Sequence, residues 1–168
     1  VRYSTFVSSG SSANYISISI LKVLNKNKYK NEIIVPTLTW ISDISSILLN
    51  GFKPIFVDIN LENLSMDIDQ VLKKINKKTL GIFITHAQGF NGLNDKLLKA
   101  INKHKLYLIE DVCESHGATY KNKKLGTFGL MSNFSFYYAH HITTIEGGMI
   151  STNNKEIYEL SKIFRSHG

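Results

Sequence analysis

Short apolar runs rich in β-branched residues alternate along this chain with longer stretches of helical periodicity, and that alternation restricts the fold more than any other feature. Glu32–Val35, Pro54–Val57, Leu80–Thr85 and Leu106–Glu110 read as strands, the last delivering Asp111 at its end, with Asn133–Tyr137 and Met149–Thr152 as two shorter ones. Helical patterns run from near Ser11 past Val23, then over Ile41–Leu49, Asp67–Ile75, Asp95–Lys103 and Lys155–Arg165. Gly51 follows the second helix, where a glycine supplies a left-handed cap. Parallel strands need crossover connections of about a dozen residues or more, usually helical, and this spacing provides them. The expected class is α/β, with a mainly parallel central sheet and crossover helices. A chain of 168 residues buries one sizeable core, and no repeat, low-complexity stretch or linker divides it.

Composition narrows the partners. The net charge is +7, but the lysines cluster at expected turns and helix surfaces (Lys26–Lys30, Lys73–Lys78, Lys121–Lys124) with no interleaved aromatics. That pattern is a solvated surface, not a nucleic-acid footprint. The single cysteine, Cys113, excludes an internal disulfide framework and fits a reducing, cytoplasmic setting. No apolar run reaches the roughly 18 residues of a membrane span, and no Cys/His spacing suggests a metal. Neither nucleic acid, membrane nor metal is expected.

Four segments carry residue types suited to chemistry. Ser8-Ser9-Gly10-Ser11-Ser12-Ala13-Asn14 precedes the first helix. Small residues there let an anion approach free first-turn amides, although serine is equally a helix N-cap. Pro36-Thr37-Leu38-Thr39-Trp40 follows a strand's carboxyl end, the edge where open parallel sheets bind ligands, although a lone Trp is also a common core residue. Ile109-Glu110-Asp111-Val112-Cys113-Glu114-Ser115-His116-Gly117 puts a carboxylate at the end of an apolar strand, where Asp111 serves either a ligand or a helix cap. Phe134-Ser135-Phe136-Tyr137-Tyr138-Ala139-His140-His141 runs on to Glu146-Gly147-Gly148. His86 and Gln88 end another strand as substrate contacts or as satisfied structural groups.

Taken in order, and with Asn50–Asp58, Gly117–Tyr120 and Gly126–Gly129, these segments resemble the DegT/DnrJ/EryC1/StrS family. Its members are pyridoxal-phosphate enzymes of fold type I acting on nucleotide-linked keto-deoxysugars. The resemblance implies a seven-stranded, mainly parallel sheet, a homodimer with sites at the subunit interface, and a setting in polysaccharide synthesis. It makes residues 1–168 most of the cofactor-binding large domain, lacking an N-terminal lead and a C-terminal small domain. Gly10, Ser11, Ser12 and Ser135 then form a phosphate cup, Trp40 stacks on the pyridine ring, Asp111 keeps the ring nitrogen protonated, and Glu114 faces the O3′ side.

His140 stands where most members carry the lysine that binds the cofactor covalently. Histidine there resembles the sugar 3-dehydratase branch, since an imidazole has no primary amine but can move protons. The implied reaction uses pyridoxamine phosphate held without a covalent bond. His140 takes a proton from C4′ while the C3 hydroxyl of a 4-keto-6-deoxy sugar departs, and glutamate or a reductase renews the cofactor. Tyr138 replaces a proline common in the family, and the tail Arg165-Ser166-His167-Gly168 resembles the aminotransferase pattern more than the dehydratase one. The alternatives are a sugar aminotransferase and a non-catalytic cofactor-binding relative. On an extended segment His140 and His141 would face opposite ways, leaving one for the cofactor.

Overall fold

The computed structural model describes residues 1–167; Gly168, the end of the tail segment singled out above, lies outside them. The chain folds into a seven-stranded sheet in the order β1-β9-β8-β5-β4-β2-β3. The strands are β1 (Tyr3–Val7), β2 (Glu32–Pro36), β3 (Lys53–Val57), β4 (Thr79–Thr85), β5 (Tyr107–Asp111), β8 (Met131–Ser135) and β9 (Gly148–Thr152). A separate antiparallel ribbon joins β6 (Thr119–Tyr120) to β7 (Lys123–Lys124). Pairings from β8 through β5, β4 and β2 to β3 are parallel, whereas β9 runs antiparallel to both β8 and β1.

The helices are α1 (Gly10–Leu24), α2 (Ile41–Leu49), α3 (Ile68–Lys74), α4 (Asp95–His104) and α5 (Lys155–Arg165). Four starts carry side-chain caps: Ser9 on α1, Asp67 on α3, Asn94 on α4 and Asn154 on α5 each accept from amides of the first turn. Gly51 has φ +81° just past α2, as its place in the sequence predicted.

Strand alternation splits the core into two layers. Ile33, Val35, Phe83 and Ile109 pack with α1 residues Ile16, Ile18, Ile20 and Leu21 on one face. Ile34, Ile82, Ile84 and Leu108 pack with Leu97 and Ile101 of α4 and Val71 of α3 on the other. Each such side chain taken fully out of water contributes about 1.5–3 kcal/mol, so both layers are needed to hold the sheet. No helix among the described residues is long and apolar enough to cross a membrane.

Two strand assignments need correction. Tyr3–Val7 forms β1, which carries only a short apolar alternation and is recruited by pairing with β9. The strand expected over Asn133–Tyr137 lies two residues earlier, because its register with β9 ends at the Ser135–Gly148 pair. Phe136 still donates to the Gly147 carbonyl at 2.8 Å, and there the chain leaves the sheet.

Candidate active site

The sheet reverses its order of growth between β2 and β4: from β2 the chain steps outward to β3, then returns to the other side for β4, β5 and β8. Ligands in open α/β sheets bind at the carboxyl ends of strands flanking such a reversal. Here that edge carries a row of polar residues in register, Thr85 beside Asp111 and Asp111 beside Asn133. α1 covers the row. The Ser17 hydroxyl donates to Asn133 Oδ1 (2.7 Å) and Asn133 Nδ2 donates to Asn14 Oδ1 (2.9 Å). A chain that starts at a hydroxyl donor fixes both amide orientations. Asn14 Nδ2 therefore points at two carboxyl groups, Asp43 Oδ1 at 2.6 Å and Asp111 Oδ2 at 3.5 Å. Asp111, 4 % exposed, also accepts the Cys113 amide at 2.8 Å. Burial, with the Asp111 charge beside it, pushes the Asp43 carboxyl well above the ordinary carboxylate range. Burial also pushes the Cys113 thiol up, so it stays neutral.

Beside this row the first turn of α1 meets the end of β8. Ser9 caps the helix, its hydroxyl accepting the Ser12 amide at 3.0 Å, and Ser8 and Ser9 engage the Ser12 hydroxyl. The amides of Gly10 and Ser11 precede the first intrahelical bond and are free for an anion. Gly10 is packed so closely that an added Cβ would lie 2.7 Å from Ser135 Cβ and 3.2 Å from Cys113 Sγ. A Cβ on Gly148 would strike the Ser9 carbonyl, so two glycines let helix start and strand end converge. The Ser12 hydroxyl is spent within the cap; its contribution to the cradle is the turn it stabilises. The capping reading of the serine segment is met by Ser9, and Gly10 and Ser11 lie beside Ser135, where the phosphate reading places an anion.

Trp40, at the head of α2, is 66 % exposed and no part of the core. Its carbonyl accepts the Asp43 amide at 3.0 Å in the first turn of α2. Glu114 accepts both the backbone amide (3.1 Å) and the side-chain amide (3.3 Å) of Gln88, which has φ +54°. His86 is structural. Its Nδ1 accepts the Gly92 amide (3.2 Å), leaving Nε2 to donate to Glu110 Oε2 (3.2 Å). The buried Glu110 carboxylate also accepts amides of Gly126, Phe128 and Gly129, pinning the loop that leads into β8.

His140 and His141 lie in a turn closed by the His140 amide on the Tyr137 carbonyl (3.0 Å), not on an extended segment. Strand alternation therefore does not distinguish them; burial does, with His140 half-buried against the Tyr137 ring and His141 exposed. Ile145, a β-branched residue at φ +69°, marks backbone strain in the same loop. Below it His116 packs among Phe134, Phe136 and His141 with neither ring nitrogen partnered. Burial, then His140 and His141, hold its imidazole below the ordinary histidine range.

The structure thus gathers Gly10, Ser11, Ser135 and Asp111 at one sheet edge, with Trp40 and Glu114 on loops of that same edge. His140 enters on the loop after Ser135, and no hydrogen bond joins it to Asp111, Trp40 or Glu114 among the described residues. Asp43, Thr39 and Thr85 escaped the sequence reading; a charged residue on the otherwise apolar and serine-lined face of α2 was the available signal. A cradle that one Cβ would fill, free amides at a helix start, a shielded carboxylate and an open indole fit a phosphorylated pyridine ring. Among the described residues no cluster of three or more His, Cys, Asp or Glu side chains is placed to hold a metal ion.

Comparison with known proteins agrees with this geometry. The profile of the DegT/DnrJ/EryC1/StrS aminotransferase family matches residues 1–168. A GDP-4-keto-6-deoxy-D-mannose 3-dehydratase of Escherichia coli O55:H7 is 40% identical over 99% of this chain and 44% of its own length. A GDP-perosamine synthase of Escherichia coli O157:H7 is 37% identical over 100% of this chain and 45% of its own length. The crystal structure of the E. coli dehydratase with bound hydrated pyridoxal phosphate superposes with a TM-score of 0.92 at 38% identity, covering 99% of this chain and 43% of that one. The chain therefore spans less than half the length of the relatives it matches.

Proposed function

This chain belongs to the DegT/DnrJ/EryC1/StrS family, and from that premise we propose that residues 1–168 are the cofactor-binding large domain of a longer nucleotide-sugar 3-dehydratase. Its substrate is a nucleotide-linked 4-keto-6-deoxy sugar, and the relatives' names favour the GDP-linked mannose form. One observation carries the choice of reaction: Phe134–Gly148, the segment that resembles the family's cofactor-lysine segment, contains no lysine and has His140 at the position where the resemblance puts that lysine. Overall identity does not separate dehydratase from aminotransferase, at 40% against 37%.

Pyridoxal phosphate, in its amine form, supplies an amine that engages the sugar ketone and a ring that accepts electrons. The chain's own residues do the rest. Gly10 and Ser11 amides with the Ser135 hydroxyl hold the phosphate, and Trp40 covers the ring. Asp111 holds the proton on the ring nitrogen. Glu114, braced by Gln88, would face the O3′ side of the bound ring. His140 would move the proton at C4′, and having no primary amine it would leave the cofactor held without a covalent bond. Renewal of the amine form falls to glutamate or to a partner reductase.

The exposed apolar side chains of Trp40, Tyr138, Ile142 and Ile145 around this edge support a homodimer that covers the site. The lone cysteine supports a cytoplasmic setting. The aminotransferase reading is favoured by one feature, the similarity of the whole chain to a perosamine synthase. Retention of the cradle, Asp111 and Trp40 together weighs against a non-catalytic relative. Mass analysis of the product from the intact protein, GDP-4-keto-6-deoxymannose, pyridoxal phosphate and glutamate tests the proposal. Loss of the C3 hydroxyl supports it; an amine at C4 assigns the protein to the aminotransferases.

A further inference from the structure

Behind Asp111 lies a second carboxyl group that the reaction outlined above does not use. Asp43, 0 % exposed, sits in a ring of three oxygens: Thr39 Oγ1 is 2.5 Å from Asp43 Oδ2, Thr85 Oγ1 is 2.8 Å from the same atom, and the two hydroxyls are 2.6 Å apart. Three contacts need three hydrogens, and two threonines supply two. The only group in the ring able to supply the third is the Asp43 carboxyl itself. Its other oxygen takes the Asn14 amide, which also reaches Asp111. Two carboxylates that are 0 % and 4 % exposed and share one amide cannot both hold charge at low cost.

We propose that Asp43 is a positioning residue: a neutral acid that holds one proton for the Asp43–Asp111 pair and so keeps Asp111 as the single carboxylate offered to the ring nitrogen. Asn14 fixes the spacing of the pair, and the threonine ring anchors the neutral partner. Among the described residues the titratable groups facing Asp43 are Asp111 and Cys113; burial keeps the Cys113 thiol protonated, and neither group is a cation that could stabilise a second negative charge. The arrangement means that a positive ring nitrogen meets one negative charge and not two. Its functional half rests on the assignment of Asp111 to the ring nitrogen; its protonation half does not.

The test is infrared spectroscopy of the cofactor-free intact protein, with aspartate carboxyls isotope-labelled, from pH 5 to 8. A protonated-carboxyl band should persist across this range, well above the ordinary aspartate value of about 3.9, and vanish in D43N. No such band in the wild type, or a band unaffected by D43N, overturns the proposal. Should D43N fail to fold, the wild-type band remains to be read and T39V with T85V should shift it; an unmoved band counts against the proposal. In cofactor titrations D43N should bind pyridoxal phosphate at least tenfold more tightly than D43A, because an amide reproduces the neutral acid and a methyl does not. Equal affinities would make Asp43 a mere filler. If D111N leaves the bound cofactor's absorbance and its pH dependence unchanged, the ring-nitrogen assignment fails instead, whatever the infrared band shows.

Discussion

Gly10 and Ser135 meet so closely that a single methyl group on the glycine would overlap the serine side chain. The contact joins the first turn of α1 to the last residue of β8, where the proposed function places the cofactor phosphate. Ser135→Ala should weaken pyridoxal-phosphate affinity by about 1.5–3 kcal/mol, the worth of a hydrogen bond to a charged group. Gly10→Ala should cost at least as much, since it pushes the amides away as well as crowding the hydroxyl. Fluorescence titration of the cofactor reads both, and unchanged affinity in either would remove the cradle from the site.

Asp111→Asn separates binding from chemistry. The phosphate contacts stay, so the cofactor should still bind measurably, while turnover should fall below detection because the ring-nitrogen proton loses its counter-charge. Asp111→Asn and Ser135→Ala behaving alike in titration and turnover would contradict the separate roles given to them.

A third pair is structural. Glu110 is a buried carboxylate satisfied by three amides and His86, so Glu110→Ala leaves three N–H groups and an imidazole without an acceptor. Removing one partner from such a buried site costs about 3–5 kcal/mol. Urea denaturation should show that loss with the m value unchanged; a loss under 1 kcal/mol would mean that the loop over Gly126–Gly129 is held by something else.

His116 gives a pH signature. Its folded-state pKa is lowered, by burial first and by His140 and His141 next. The unfolded chain therefore takes up the proton first as pH falls. Whatever stability the neutral imidazole gives is present above the unfolded value of about 6.5 and is lost below it. His116→Phe, which keeps the packing against Phe134 and Phe136, should flatten the decline in Tm between about pH 6.5 and 5. A variant that declines as steeply as the wild type would place that loss elsewhere.

The parts of this molecule legible in its sequence are those governed by local pattern. Strands such as Leu80–Thr85 announce themselves by β-branched alternation, and the start of α1 by the serines able to cap it. The seven-stranded sheet, the family and the convergence of Gly10, Ser135 and Asp111 followed from motifs in order. β1 was not legible, because a strand that ends a sheet antiparallel to β9 needs no pattern beyond its partner's register. Asp43 was missed for a related reason: its chemistry exists only once the loop between β2 and α2, β4, β5 and α1 bring Thr39, Thr85, Asp111 and Asn14 around it. The turn at His140 was misread as extended because the Tyr137–His140 hydrogen bond replaces strand pairing just where β8 ends.

Whether His140 is the base in place of the family lysine is decided by His140→Lys in the intact protein, assayed for product on GDP-4-keto-6-deoxymannose with pyridoxal phosphate and glutamate. The wild type should release a 3-deoxy sugar and show no covalent adduct at residue 140 after borohydride. The variant should acquire that adduct, lose 3-deoxy product at least a hundredfold, and leave room for an amino sugar in its place. Full dehydration by His140→Lys, with activity abolished instead by His141→Ala, would contradict the account and move the base to the neighbouring histidine.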